Sequence, residues 1–328
     1  MVSSAQPGGL VTVFGGSGFV GRHIVRALAK RGWRLRVAVR RPDLAGHLQP
    51  MGGVGQIHAV QANLRFPDSV ASSVAGAQAV VNCVGILKQG GHQTFEDIHD
   101  EGAHAVAKAA RAAGVQTFVQ ISAIGANRDG ASKYAMTKAK GEAGVLQEMP
   151  DAIILRPSVI FGPEDAFFNR FAAMAQRSPA LPAIGGGVTK FQPVFVGDVA
   201  EAVAACLEGR AKPGTVYELG GPEVASLRDI LERVARYAGR DAKPFPLPFI
   251  AGKVLAIASL VLPSGMRPIT YDQVCLLQSG DNIVSAEAQA EGRTLQGLGV
   301  AYPVAMDAVV PAYLERFRPR GQFSHYRN

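Results

Sequence analysis

The chain has 328 residues, 34 basic against 26 acidic side chains (net charge +8 with histidines neutral), and 48% hydrophobic residues. That length buries a large core in one large or two intimate domains, and 18% charged residues is the content of a folded globular protein. The basic excess admits nucleic acid, anionic lipid or an acidic protein as partner, but no Lys/Arg run interleaved with aromatics is present, so we expect no nucleic acid. Three widely spaced cysteines (Cys83, Cys206 and Cys275) argue against a disulfide frame and for a reducing compartment. Neither Cys-x-x-Cys nor His-Glu-x-x-His spacing occurs, and His99 and His104, five apart, fall on different helix faces, so no metal site is expected. Residues 1–9 have neither a signal-peptide core nor an Arg-rich transit character, which leads us to expect a bacterial cytosolic protein.

An apolar run from Leu10 to Phe14 ends in Gly15-Gly16-Ser17-Gly18-Phe19-Val20-Gly21, and Val20, Ile24, Ala27 and Leu28 then recur at helical spacing. This predicts a strand, a tight turn and a helix. Glycines let a pyrophosphate approach the turn, and the helix N-terminus offers unpaired N–H groups to it. Gly16, Gly18 and Gly21 read as G-x-G-x-x-G; Gly15, Gly18 and Gly21 read as G-x-x-G-x-x-G. Residues 34–39 read as a second strand, ending in Arg40-Arg41-Pro42 with no acid before Asp43. An acid at this strand end selects NAD, whereas a guanidinium pairs with a 2′-phosphate, so Arg40 and Arg41 favour NADP. Strands follow at 56–60, 78–84, 116–121 and 152–155, with helices at 103–113 and 132–148. This alternation predicts βαβ units and a doubly wound parallel sheet. The fourth strand ends in Val84-Gly85, where glycine lets a cofactor come close. The fifth ends in Ile121-Ser122. Tyr134 and Lys138 stand four apart on the next helix and so share a face.

Beyond Arg156 the rhythm breaks, because Pro157 and Pro163 forbid a continuing helix. Residues 191–195 read as a strand followed by a helix with Asp198 as its N-cap. Residues 217–222 give another strand and turn, and 227–237 an amphipathic helix. We expect a nucleotide domain over 1–160 with 190–222 returning to it, and a smaller, mainly helical lobe over 223–328 plus 161–189. Phe249 to Leu262 carries one charge, Lys253. As a helix it would rise about 21 Å, short of the roughly 30 Å hydrocarbon core, so it would not span a membrane. It reads either as a buried helix or as an apolar docking face. Prolines 244, 246 and 248 and the basic residues Lys243, Lys253 and Arg267 around it favour the second.

The glycine turn, Y-x-x-x-K and the exit Leu155-Arg156-Pro157-Ser158-Val159 together resemble the extended and atypical short-chain dehydrogenase/reductase superfamily. The resemblance implies a Rossmann-type fold with Ser122, Tyr134 and Lys138 as catalytic trio. In that trio the ammonium lowers the tyrosine pKa and binds the nicotinamide ribose. It also implies cofactor contacts at Gly15, Gly16, Ser17, Gly18, Phe19, Val20, Arg40, Arg41, Asn63, Leu64, Val84, Gly85, Ile121, Ser122, Tyr134, Lys138, Pro157 and Val159, with Asn63-Leu64 beside the adenine. The tail narrows it. Ile269-Thr270-Tyr271-Asp272-Gln273-Val274, Leu277-Gln278-Ser279-Gly280-Asp281-Asn282, Leu298-Gly299-Val300 and Tyr313-Leu314 resemble the accessory NAD(P)H-binding subunits of respiratory complex I, NADH:ubiquinone oxidoreductase. That implies a tightly held NADPH with a structural role near the quinone region, other complex I subunits as partners, and a peripheral place on the cytoplasmic side of a bacterial inner membrane. It also allows contact with the membrane surface through 245–262. The alternatives are a free-standing NADP-dependent reductase or epimerase and an NADP-sensing regulator.

Overall fold

The computed structural model describes residues 8–259, 269–319 and 321. Leu260, Leu262 and Arg267 of the apolar segment lie outside them, as does the end of the tail. The chain forms two compact units, the first of residues 1–157, 196–219 and 285–301, the second of 158–195, 220–284 and 302–328.

In the first unit, seven strands make one sheet: β1 (Leu10–Phe14), β2 (Arg34–Val39), β3 (Ile57–Gln61), β4 (Ala79–Asn82), β5 (Thr117–Ile121), β6 (Ile153–Pro157) and β11 (Val216–Leu219). Their order is β11-β6-β5-β4-β1-β2-β3, every pairing parallel. Central strands buried on both faces are mostly apolar. Val11, Val13, Val80, Val81, Phe118, Val119, Ile154 and Leu155 fit that pattern. Helices α1 (Phe19–Lys30), α2 (Pro67–Val74), α3 (Glu101–Ala112), α4 (Lys133–Glu148) and α6 (Val196–Leu207) supply the crossovers and flanks. The chain leaves β1 towards β2 on one side and enters β4 on the other, so strand order reverses between β1 and β4. In such sheets the crevice outside the carboxyl ends at that point receives ligands.

In the second unit, β8 (Ala180–Ile184) pairs parallel with β13 (Lys243–Leu247), and β7 (Ile160–Phe161) with β10 (Val194–Phe195). β9 (Lys190–Phe191) pairs antiparallel with β12 (Ala225–Ser226). Helices α5 (Phe168–Arg177), α7 (Leu227–Tyr237), α8 (Phe249–Ala258), α9 (Tyr271–Gln278) and α11 (Met306–Leu314) surround a core of Phe161, Phe168, Leu181, Leu231, Val234 and Leu314. α10 (Ala286–Ala290) belongs to the first unit.

Three local expectations differ from the structure. The strand at 191–195 is two short pieces, because Pro193 has no N–H for a ladder, and the Gln192 N–H goes instead to the Asn282 carbonyl at 3.1 Å. Helix α6 begins at Val196, so Asp198 sits inside its first turn, where a carboxylate meets the positive dipole end, and is not the N-cap. The helix expected from 103 begins at Glu101 and follows a π-helical turn over Glu96–Asp100. The proline-rich approach to the apolar segment is strand β13, which tolerates Pro244 and Pro246 as half of a two-stranded edge.

Candidate functional site

The carboxyl ends of β1, β4 and β5 carry the sequence-selected residues. Gly15 turns at φ +76°, and a Cβ there would stand 3.1 Å from the Val84 side chain. At Gly21 a Cβ would fall 2.3 Å from the Gly15 carbonyl oxygen. The β1 turn, the β4 end and the first turn of α1 therefore touch backbone to backbone. Gly18 is the N-cap of α1, without a side-chain cap. The first N–H groups of the helix, at Phe19 and Val20, thus have no capping side chain and present a positive end beside Gly16 and Ser17.

Deeper in the crevice, Asn82 is fully buried. Its Nδ2 donates to Gln120 Oε1 at 3.0 Å, and its Oδ1 accepts from the Val84 N–H at 3.2 Å. Val84 and Gly85 are thereby fixed beside α4. Lys138 is 7% exposed and donates to the Ile121 carbonyl at 3.2 Å. Burial pulls its pKa down from 10.5 to about 8, against the carboxylate of Glu142. Glu142 is itself held by two bonds from Arg156, at 2.8 and 2.6 Å. The Lys138 ammonium lies 5.9 Å from the centre of the Tyr134 ring. Ser122 is buried, its backbone N–H given to the Leu155 carbonyl at 2.7 Å, while its hydroxyl has no partner among the described residues. A buried unpaired hydroxyl is costly, so a site that keeps one is built for a further polar group.

The remaining candidates of the first unit follow β2 and β3 or end β6 along the same sheet edge. Arg40 follows β2, is exposed, and makes no hydrogen bond or ion pair with a described residue. Arg41 is engaged by Asp43 at 2.7 Å. After β3, Asn63 is half-buried with its Oδ1 accepting from the Arg65 N–H, and Leu64 is in the core. Pro157 ends β6, its carbonyl accepting from the Ile124 N–H at 3.0 Å. Val159 belongs to the second unit, its N–H held by Asn282 Oδ1 at 3.1 Å.

One residue at the site carries no motif. His99, 3% exposed, accepts the Ile86 N–H on Nε2 at 3.0 Å and stacks on Phe95 at 5.3 Å. Burial, reinforced by Lys138, drives its pKa down to about 2. Its only signal in the sequence is a histidine one turn before an alanine-rich helix, which does not separate it from a core residue.

The profile of the NAD dependent epimerase/dehydratase family matches residues 11–220. Subunit 9 of the NADH dehydrogenase (ubiquinone) 1 alpha subcomplex of Arabidopsis thaliana mitochondria is 36% identical over 256 residues, 77% of this chain and 64% of that protein. The chain therefore spans less than two thirds of the length of that relative. The 40 kDa subunit of Neurospora crassa mitochondrial NADH-ubiquinone oxidoreductase is 28% identical over 98% of this chain and 82% of its own. A ceramide reductase of Caulobacter vibrioides is 37% identical over 54% of each chain. Among solved structures, an NADPH-dependent quinone oxidoreductase of Escherichia coli complexed with NADPH superposes with a TM-score of 0.73 over 93% of this chain and 99% of that one, at 19% identity, which establishes a shared fold.

Proposed function

Because the chain belongs to the NAD dependent epimerase/dehydratase family, whose cofactor is a nicotinamide nucleotide, we propose that it is an accessory subunit of respiratory complex I that holds NADPH for structural purposes near the quinone region. The observation that carries the nucleotide half is the pairing of an unpartnered buried Ser122 hydroxyl with the glycine cradle at Gly15 and Gly21. The residues fit the group. Gly15 to Val20 and the N-terminus of α1 would take the pyrophosphate, and Arg40, unpaired where Arg41 is not, the 2′-phosphate. Asn63 and Leu64 would flank the adenine. Val84, Gly85, Ile121, Tyr134 and Lys138 would line the nicotinamide ribose, with Pro157 at the end of β6. When bound, the nicotinamide supplies a hydride. The chain's own part is to orient it, to keep water out with Val84 and Ile121, and to hold a proton at the Tyr134 phenol beside the Lys138 ammonium.

The complex I half rests on the similarity to the Arabidopsis and Neurospora subunits. The attachment we propose is peripheral, on the cytoplasmic side of a bacterial inner membrane, among other complex I subunits. No helix of the described residues is long and apolar enough to cross a membrane. Contact with an anionic lipid surface would be made by α8. Its buried face, at Gly252 and Ala256, packs on Ile184 and Val274, while Ile250 (78% exposed), Val254 (61%) and Ile257 (56%) form one outward stripe at i, i+4 and i+7. Lys243 and Lys253 supply the complementary charge.

The second reading is a free-standing NADP-dependent reductase or epimerase. It is favoured by the retention of Ser122, Tyr134 and Lys138 together and by the similarity to the Caulobacter ceramide reductase. Fractionation separates the two. A subunit stays with membrane NADH:ubiquinone oxidoreductase activity through detergent extraction and size exclusion, and a free reductase elutes alone and consumes NADPH.

A further inference from the structure

His99 contributes to no motif, yet three elements meet at it: the turn after β4, its own π-helical turn and helix α4. Its Nε2 accepts from the Ile86 N–H at 3.0 Å, so that nitrogen carries no proton. The proton must then sit on Nδ1, which lies 3.3 Å from the Thr137 hydroxyl. Thr137 passes its own proton to the Lys133 carbonyl at 2.8 Å and is free to accept. One imidazole thus joins the turn after β4 to helix α4. Its backbone packs on α4 as well, because the His99 carbonyl fills the place of a missing Cβ on Gly141, which would stand 1.8 Å away. Thr137 and Gly141 are four apart and share a face of α4. The ring is clamped from the sides by Phe95, stacked at 5.3 Å, and by the edge of Tyr134 at 5.2 Å. On the far side of the clamp, a Cβ on Gly85 would stand 3.4 Å from the Lys138 ammonium and 3.7 Å from His99 Nε2.

We propose that His99 is the positioning residue of the nucleotide pocket. As a neutral imidazole of fixed tautomer, it sets the spacing between the Val84–Ile86 turn and the Tyr134/Lys138 face of α4, the gap that takes the nicotinamide ribose. A second proton on the ring would face the Ile86 N–H and repel Lys138, so the clamp works only uncharged. The proposal rests on the nucleotide-pocket reading above, and the test keeps the two apart.

The full chain, labelled with ¹⁵N-histidine, is read by NMR without ligand. Nε2 should be bare and Nδ1 protonated, unchanged from pH 8 to pH 5. A proton on Nε2, or titration in that range, overturns the clamp whatever the protein binds. NADPH affinity is then measured for two variants. His99→Phe keeps the stacked shape but strands the Ile86 N–H, and should weaken binding roughly tenfold. His99→Gln offers an oxygen at similar reach and should restore most of it. A purely structural role would lower the melting temperature of both variants and leave their affinity at the parental value, which overturns the proposal. If His99→Phe does not fold, Thr137→Val takes its place, removing the acceptor for Nδ1–H. Loss of tautomer order together with affinity is then the supporting result, and unchanged affinity the overturning one. A parent chain with the expected imidazole signals and no affinity for NADPH locates the failure in the pocket reading, and the positioning role falls with it.

Discussion

Lys138 should make the protein less stable empty and more stable loaded, and the size of both effects follows from its surroundings. The ammonium is almost wholly buried, and its pKa falls from 10.5 to about 8. Keeping it charged at pH 7 costs the empty fold about 3 kcal/mol. Lys138→Met preserves the length, removes the charge and gives up one hydrogen bond to the Ile121 carbonyl, worth about 1 kcal/mol. The empty variant should therefore be about 2 kcal/mol more stable than the parent at pH 7. The pH dependence has a definite sign. Between pH 8 and pH 10.5 the unfolded lysine holds a proton that the native one has released, so parental stability rises through that window. The advantage of the variant shrinks accordingly and is gone by pH 10.5. Saturating NADPH reverses the order at pH 7. A hundredfold excess over Kd adds about 2.7 kcal/mol to the parent and little to a variant without the cation. Urea unfolding followed by the fluorescence of Trp33, the one tryptophan and fully buried, measures all four states. A variant less stable than the parent when empty at pH 7, or a difference that ignores pH, would show that the buried Lys138 charge does not strain the empty fold.

Three further outcomes are expected. Arg40→Asp should remove a preference for NADPH over NADH of roughly tenfold to a hundredfold, whereas Arg41→Asp should change it little because Arg41 is occupied by Asp43; calorimetry with both nucleotides checks this. Glu142→Gln strands the half-buried Arg156 and should cost about 3 kcal/mol of stability in urea unfolding at pH 7. Ile250→Glu with Ile257→Glu should release the protein from anionic vesicles, since each isoleucine brings about 2 kcal/mol to an apolar contact, and should leave circular dichroism unchanged because both side chains are exposed in the free chain; vesicle flotation decides, and loss of fold in this variant would return α8 to the core.

The nucleotide unit was legible because its signals are periodic and local. Strands buried on both faces, such as Val11–Phe14 (broken only by Thr12) and Ile153–Leu155, are mostly apolar runs, and the glycine turn announces the first junction. The candidate residues at the carboxyl ends of β4 and β5 could be placed from order alone, since a doubly wound sheet brings successive carboxyl ends to one edge. The second unit was less legible. Its strands β7, β9, β10 and β12 have two residues each, too few for any period, and are held by groups distant in sequence: the Ser158 hydroxyl and the Gln192 N–H both bond to the Asn282 carbonyl. The tail run Ser279 to Asn282 was recognisable as a pattern, but its work, bridging Lys190 and Phe191, appears only in three dimensions. His99 was read only against a metal site, because the Ile86 N–H it accepts and the Gly141 surface it fills are set by packing.

We propose that this chain is part of complex I and carries NADPH there. Native mass spectrometry of NADH:ubiquinone oxidoreductase extracted gently from the source membranes decides this. This polypeptide is expected within the intact complex, released on activation with the added mass of one NADPH. A complex assembled without it, or the chain recovered empty within it, would rule the proposal out.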